Sequence, residues 1–317
     1  MQALRDPKHL TWAFDEAQSI DQLSAPEAAA VFGRTEDGQP VVDLRGTYEG
    51  GAQKSLTMRR SYRTPTQVLM AAHAVNMGLF RVGGAIQGLT NQEDWRSIGY
   101  ELLEGDFTRF GQRVRLHRPD TVSAHPYDAD ESLLERARQV DPIVGVRSFA
   151  SPELERAFLV ECLRQDLERG FHAEDLMVVT LDDGYMSKRY LETLALELEA
   201  AGVPAHVVSD AWTKAGSVPL AHVYRAKGNE ASRVYACRFE YAHERIREKT
   251  EVHARNGALV AMTRARLWVT VSSGGDAPVL REIETAVAQY PVLEFESFTQ
   301  RSLERVVEIA QDEGLFD

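Results

Sequence analysis

From residue 143 onward the chain alternates short apolar runs with longer segments whose apolar positions recur at helical spacing. Residues 143–149 (IVGVRSF) predict a strand. Ser151 is placed to cap a helix that runs to about residue 168, with Leu154, Phe158, Leu159 and Leu163 along its apolar side. The unbroken run LMVVTL at 176–181 predicts a buried strand. A long helix over about 188–201 follows, stopped by Gly202, and then a strand at 205–208. Between 218 and 237 two apolar stretches flank a polar break, Ala226-Lys227-Gly228-Asn229-Glu230, so a loop is expected between two strands. The tail predicts amphipathic helices over 277–289 and 302–313 around a strand at 292–295. Strands alternating with helices imply the α/β class, a parallel sheet covered by helices on both faces.

The first half is less regular. Residues 10–14 are a short apolar run that ends at Asp15-Glu16-Ala17-Gln18. Residues 56–73 (LTMRRSYRTPTQVLMAAH) give an apolar approach, a core Ser61-Tyr62-Arg63-Thr64, and a helix from near Pro65, a residue suited to a first helical turn. Residues 77–141 are rich in Gly, Arg and aromatics, with a strand-like piece at 114–116, and read as an insertion. Trp95, Arg96, Arg113, Arg115 and Arg118 offer that insertion a nucleic-acid or partner contact. His117, His125 and Asp128 fall at irregular spacing and read as solvated surface rather than metal ligands.

Composition narrows the class. A hydrophobic fraction of 44% and a charged fraction of 26% over 317 residues suit a globular protein with a sizeable core. A net charge of −12 excludes a surface that is basic throughout, so nucleic-acid contact requires a local groove. Cys162 and Cys237 lack metal-ligand spacing and read as reduced thiols of a cytoplasmic protein. No apolar run approaches the ~20 residues of a membrane span. The first residues, MQALRDPKHL, lack the apolar core of a signal peptide.

Two adjacent carboxylates at the end of an apolar strand suit a Mg²⁺–nucleotide site, Asp15 holding the metal and Glu16 polarising the attacking water. The plainer reading is that both open a helix, where acidic residues are favoured. Gly228 permits either a positive φ or a close backbone approach to a ligand, with Lys227 and Glu230 adding opposite charges beside it. The segment Gly50-Gly51-Ala52-Gln53-Lys54-Ser55 holds the residues of a phosphate loop, but no Gly precedes Lys54 and no apolar strand leads in. It reads as a polar loop, and no GxxxxGK[ST] occurs in the sequence. A carboxylate–Lys cluster of the nuclease kind is not identifiable.

Four segments together resemble superfamily 1 helicases of the UvrD/Rep/PcrA kind. FDEAQ (14–18) is similar to motif II, SYRT (61–64) to motif IV, RAKGNE (225–230) to motif V and LVAMTRARLWVTVSS (259–273) to motif VI. The order matches the family's. The resemblance implies RecA-like architecture in the P-loop NTPase superfamily. Residues 1–45 would be the end of a first RecA-like domain and 46–317 a second, with the insertion at about 77–141. It further implies Asp15 as the Mg²⁺ ligand, Glu16 as the catalytic carboxylate, and Gln18, Gly228 and Glu230 at the nucleotide. Arg63 and Arg264 would be the arginines that meet charge on the γ-phosphate. His222 and Tyr224 stand where the family has Thr and His, the positions that contact the nucleic-acid backbone. Motif III has no clean match, and its sensor glutamine stays unassigned between Gln39 and Gln53. Tyr62, between an apolar strand and a helix, is expected to pack rather than stack on a base.

The expected function is the C-terminal part of an ATP-dependent helicase or translocase on single-stranded DNA or RNA. The alternative is a non-catalytic module that binds nucleic acid or docks on a partner. Motif I is missing from these residues, so Mg²⁺ and ATP are expected only with a complete first domain, or with a partner chain that supplies the loop. No membrane partner is expected.

Overall fold

The computed structural model describes residues 29, 32–42, 46–52, 54, 60–182, 184–209, 214–243 and 250–306. In chain order its elements begin with α1 (Thr66–Met77), β1 (Gln87–Gly88), α2 (Gln92–Ser97), β2 (Glu101–Glu104), β3 (Arg113–His117), α3 (Pro126–Ala129) and α4 (Glu131–Val140). Then come β4 (Val144–Ser148), α5 (Pro152–Glu168), β5 (Leu176–Thr180), α6 (Gly184–Ala200), β6 (Ala205–Val207), β7 (Val218–His222) and α7 (Val223–Ala226). The last are β8 (Ala231–Cys237), α8 (Glu251–Met262), β9 (Ala265–Ser273), α9 (Pro278–Gln289), β10 (Val292–Glu296) and β11 (Arg305–Val306).

Strand β5 is buried along its whole length, and its residues divide by parity. Met177 and Val179 enter one apolar cluster, Leu176 and Val178 the other. Period-2 alternation demands this of a strand covered on both sides. The six-stranded sheet runs β4-β9-β8-β5-β7-β6, every neighbour parallel. On one face α1, α8 and α9 supply Val68, Val75, Leu259, Val260, Val279 and Ile283. On the other, α5 and α6 supply Leu159, Leu163, Leu191, Leu194 and Leu198. The α/β class and the strands and helices expected between 143 and 237 are present. Ser151 caps α5, its Oγ accepting from the Leu154 N–H at 3.4 Å, and α6 begins four residues or so earlier than its apolar spacing announced, at Gly184.

The insertion is tied into the body. β3 pairs antiparallel with β2 on one side and with β10, from the far end of the chain, on the other. Its core, including Trp95, Tyr100, Val114 and Leu116, is continuous with the α1–α8–α9 core. This corrects the reading of its surface. Trp95 is buried, donating from Nε1 to the Leu89 carbonyl at 3.0 Å. Arg118 is buried against Tyr100, whereas Arg96 and Arg113 stay exposed, Arg113 and the half-buried Arg115 pairing with Glu294. His125 and Asp128 are not solvated surface either. His125 is buried, and Asp128 accepts from the backbone N–H and hydroxyl of Thr66, both at 2.9 Å, at the start of α1. The helix expected over 302–313 is not continuous. Gln300–Ser302 is a 3-10 turn and β11 pairs in parallel with β1, while residues beyond 306 lie outside the described residues. Gly50 and Gly51 sit in an exposed turn closed by Gly51 N–H to the Tyr48 carbonyl, consistent with a polar loop. Both cysteines are free thiols. Among the described residues no helix is long and apolar enough to cross a membrane.

Helices α1, α8 and α9 are joined through Arg255, whose side chain is 1% exposed. It donates to both carboxylate oxygens of Glu282 at 2.8 Å, to Glu251 at 2.9 Å and to the Val75 carbonyl at 2.6 Å. Beside it Asn76 donates to Asn256 at 2.7 Å, and Gln87 donates to the same Asn256 oxygen at 2.8 Å. Removing one partner of a buried ion pair leaves the other uncompensated. Arg255→Met is therefore expected to lower stability to urea by about 3–5 kcal/mol. Adding Glu282→Leu is expected to restore much of that loss, which equilibrium unfolding of both variants measures.

Candidate functional site

In a parallel sheet the loops that precede strands gather at one edge, and those that follow strands at the other. Glu230 precedes β8 and Arg264 precedes β9, so both lie at the amino edge. The Ala231 N–H donates to the Arg264 carbonyl at 3.1 Å, holding the two strand starts together. Arg63 arrives there from another direction, in the turn before α1. Thr64 Oγ1 donates to the Thr263 carbonyl at 3.5 Å, and the Arg63 guanidinium lies 3.5 Å from Glu230. Residues of three distant segments thus meet at one edge.

The turn that carries Arg63 is held by the end of the insertion. The Ser61 N–H donates to the Val122 carbonyl at 3.0 Å and the Ala124 N–H to the Ser61 carbonyl at 2.7 Å. Residues 124–127 thereby form one wall of a groove of about 780 Å³. The start of β9 and the connection between α5 and β5 form the other. Tyr62, Arg63, Glu230 and Arg266 share the groove with two ring pairs, His125–Tyr127 at 5.6 Å and Phe171–Trp268 at 5.6 Å. Tyr62 is 61% exposed at this groove, not packed as expected. The chain turns inward from Thr64, two residues later.

Gly228 has φ of +89°, and a Cβ there would meet nothing within 4 Å. Of the two uses open to it, the backbone conformation is the one that requires glycine. Arg264 is 1% exposed. Its Nε donates to the Val260 carbonyl at 3.0 Å and one terminal nitrogen to the Asn229 carbonyl at 3.3 Å. It holds the 227–230 loop to the end of α8. Arg266, two residues on, was not singled out from the sequence, although its signal was legible. Along β9, Ala265, Leu267, Val269 and Val271 are buried, and period-2 alternation turns Arg266 outward.

His222 and Tyr224 follow β7 and lie toward the opposite, carboxyl edge. Their rings stack at 5.0 Å. The His222 Nε2–H donates to the Asp182 carbonyl at 2.7 Å, while Nδ1 accepts from the Tyr224 N–H at 3.4 Å. Asp182 itself lies two residues past β5 with a buried carboxyl, and Arg238 follows β8 with a positive φ of 65°. Asp182 Oδ2 is 3.7 Å from Arg238 Nε, beyond hydrogen-bond reach. Burial pushes the Asp182 carboxyl up to about 7, against the opposing pull of Arg238.

Asp15, Glu16, Gln18 and Gln53 lie outside the described residues, and Gln39 sits in an exposed turn. Among the described residues no group of three His, Cys, Asp or Glu is placed to hold a metal. Arg63 and Arg266 stand around Glu230, and the groove's other carboxylate, Asp175, accepts from Ser232. Those residues do not fit Mg²⁺, whereas they fit the anionic end of a nucleotide, because guanidinium forks match phosphate oxygens.

No family model matches the chain, and no curated protein matches it. Among solved structures it is similar to the C-terminal domain of a possible DNA helicase from Lactobacillus plantarum WCFS1. That likeness has 17% identity and a TM-score of 0.37, and covers 46% of this chain and 83% of that chain. At that level it carries no weight for function.

The raised Asp182 group gives a signed pH dependence. Its contribution to stability is complete below the unfolded value of 3.8 and is lost as pH rises through about 7. Relative to Asp182→Asn, the native chain should therefore lose thermal stability between about pH 5 and about pH 8. Melting temperatures of the two proteins across that range test the sign.

Proposed function

We propose that the chain forms the second RecA-like half of an ATP-dependent superfamily 1 helicase or translocase acting on single-stranded nucleic acid. The observation that carries this reading is the meeting of the SYRT, KGNE and TRAR segments. They are distant in sequence, follow the family's motif order, and are joined by the Arg63–Glu230, Thr64–Thr263 and Arg264–Asn229 contacts.

In this reading the amino edge of the sheet faces the γ-phosphate of an ATP held by another half. Arginine suits that face because it is always charged and meets phosphate oxygens in a fixed fork. Gly228 shapes the loop, and Glu230 lies beside the nucleotide. Asp15, Glu16 and Gln18 belong to the first half's share of the site. When bound, Mg²⁺ neutralises phosphate charge there, and this half's own task is cation placement and closure of the cleft. The aromatic groove gives the nucleotide an apolar wall. The carboxyl edge, with His222 and Tyr224, faces the nucleic acid, so opening and closing of the cleft would shift one half along a strand.

A phosphate loop must come from outside these 317 residues, since none is in the sequence. The purified chain is expected to hydrolyse ATP negligibly. Steady turnover that disappears on Glu16→Gln would overturn that expectation. Mixed with a first-half fragment that carries a phosphate loop, it should support ATP turnover stimulated by single-stranded DNA or RNA. Arg63→Ala should then lower the turnover by about 10³-fold or more, the scale of a lost arginine finger. Binding of single strands with no turnover in any mixture would favour the non-catalytic module.

A further inference from the structure

Three arginines stand at the groove edge, and the structure gives them different work. Arg264 is buried, with its donors on the Val260 and Asn229 carbonyls and a longer contact at 3.4 Å to Thr263 Oγ1. To reach a ligand it would give up its bonds to the backbone of two segments and release the loop that carries Glu230. Arg266 is in the opposite situation. Its side chain is 59% exposed, and its charged contact among the described residues is Glu230 Oε1 at 3.8 Å, too long for a hydrogen bond. Arg63 faces the other oxygen, Oε2, at 3.5 Å, and its Nε is buried without a hydrogen-bond partner. One carboxylate therefore sits between two guanidinium groups without a close hydrogen bond to either through these contacts.

We infer that Arg63 and Arg266 form a phosphate clamp in which Glu230 is a built-in occupant, and that Arg264 is a positioning residue behind it. A carboxylate between two arginines offers the negative charge and paired acceptor oxygens of a weaker phosphate. A polyphosphate end brings more negative charge and more acceptors, and can take both forks at hydrogen-bond distance where the carboxylate takes neither. Entry of the phosphate displaces Glu230, so the empty site holds its arginines apart from solvent anions and a ligand must compete for them. Arg266 points into the groove because β9 alternates, and Arg63 does so because the 120–128 segment grips its turn. No bond is made or broken in this exchange.

The inference rests on the reading of the groove as a nucleotide site, but it is separable by experiment. The probe is inorganic tripolyphosphate titrated calorimetrically into the purified chain at low salt. Arg63→Gln and Arg266→Gln should each weaken binding by about tenfold, the loss of a charge-assisted contact. Glu230→Gln should tighten it severalfold by removing the internal competitor. Arg264→Lys should lower the melting temperature, and should weaken binding less than Arg266→Gln does. The clamp is overturned if the native chain does not bind tripolyphosphate, if Glu230→Gln fails to tighten it, or if Arg264→Lys costs more affinity than Arg266→Gln. ATP turnover in the complemented enzyme that ignores Arg266→Gln would remove the clamp and leave the helicase reading. The expected variant pattern in a chain that no phosphate-loop fragment activates would do the reverse.

Discussion

Helices α1 and α8 form an antiparallel pair pinned at both ends, and the groove edge depends on that pinning. At one end Arg255 and Asn256 of α8 bond to the Val75 carbonyl and Asn76 of α1. At the other, Thr64 before α1 bonds to Thr263 after α8. A helix rises about 1.5 Å per residue, so a slip of one residue at the first end would carry the second by the same distance. Arg63 precedes the start of α1, and Arg264 and Arg266 follow the end of α8, both at the Thr64–Thr263 end of the pair. Their separation is therefore set by buried polar bonds deep in the body rather than by contacts between their own exposed side chains.

This arrangement has a cost built into it. Arg255, Glu251 and Glu282 are charged groups inside an apolar layer, where desolvation opposes them. Burial lowers the tendency of Arg255 to hold its proton, but the paired carboxylates more than offset it, and its affinity for the proton is raised. The bidentate geometry and the extra carbonyl acceptor leave little room for another register. Such a pair specifies position more than it adds stability, and it fixes where the ends of α1 and α8 stand at the groove. At the opposite edge Asp182 is matched less well, and burial there raises its carboxyl's hold on the proton.

The insertion also changes meaning once its place in the fold is known. As a string of Gly, Arg and aromatics it resembled an exposed contact surface. Folded, its Trp95 and Arg118 are interior, and its last turn grips Ser61 and caps α1 through Asp128. Its residues 124–127, which form a wall of the groove, carry neither a motif nor a periodic pattern.

The sequence by itself determined the α/β class, the order of strands and helices between 143 and 237, and the polar segments around Arg63, Glu230 and Arg264. Those features are local: apolar runs, caps such as Ser151, and short polar motifs are written in neighbouring residues. It also marked Gly228, where a positive φ excludes side chains. Only the tertiary structure decided which arginine of TRAR faces outward, that Glu230 lies between Arg63 and Arg266, and that Trp95 is core. Each of these depends on which distant segment covers a residue. Pairing of β3 with β10, and of α1 with α8, is a long-range choice made by complementary burial, and no local pattern encodes it.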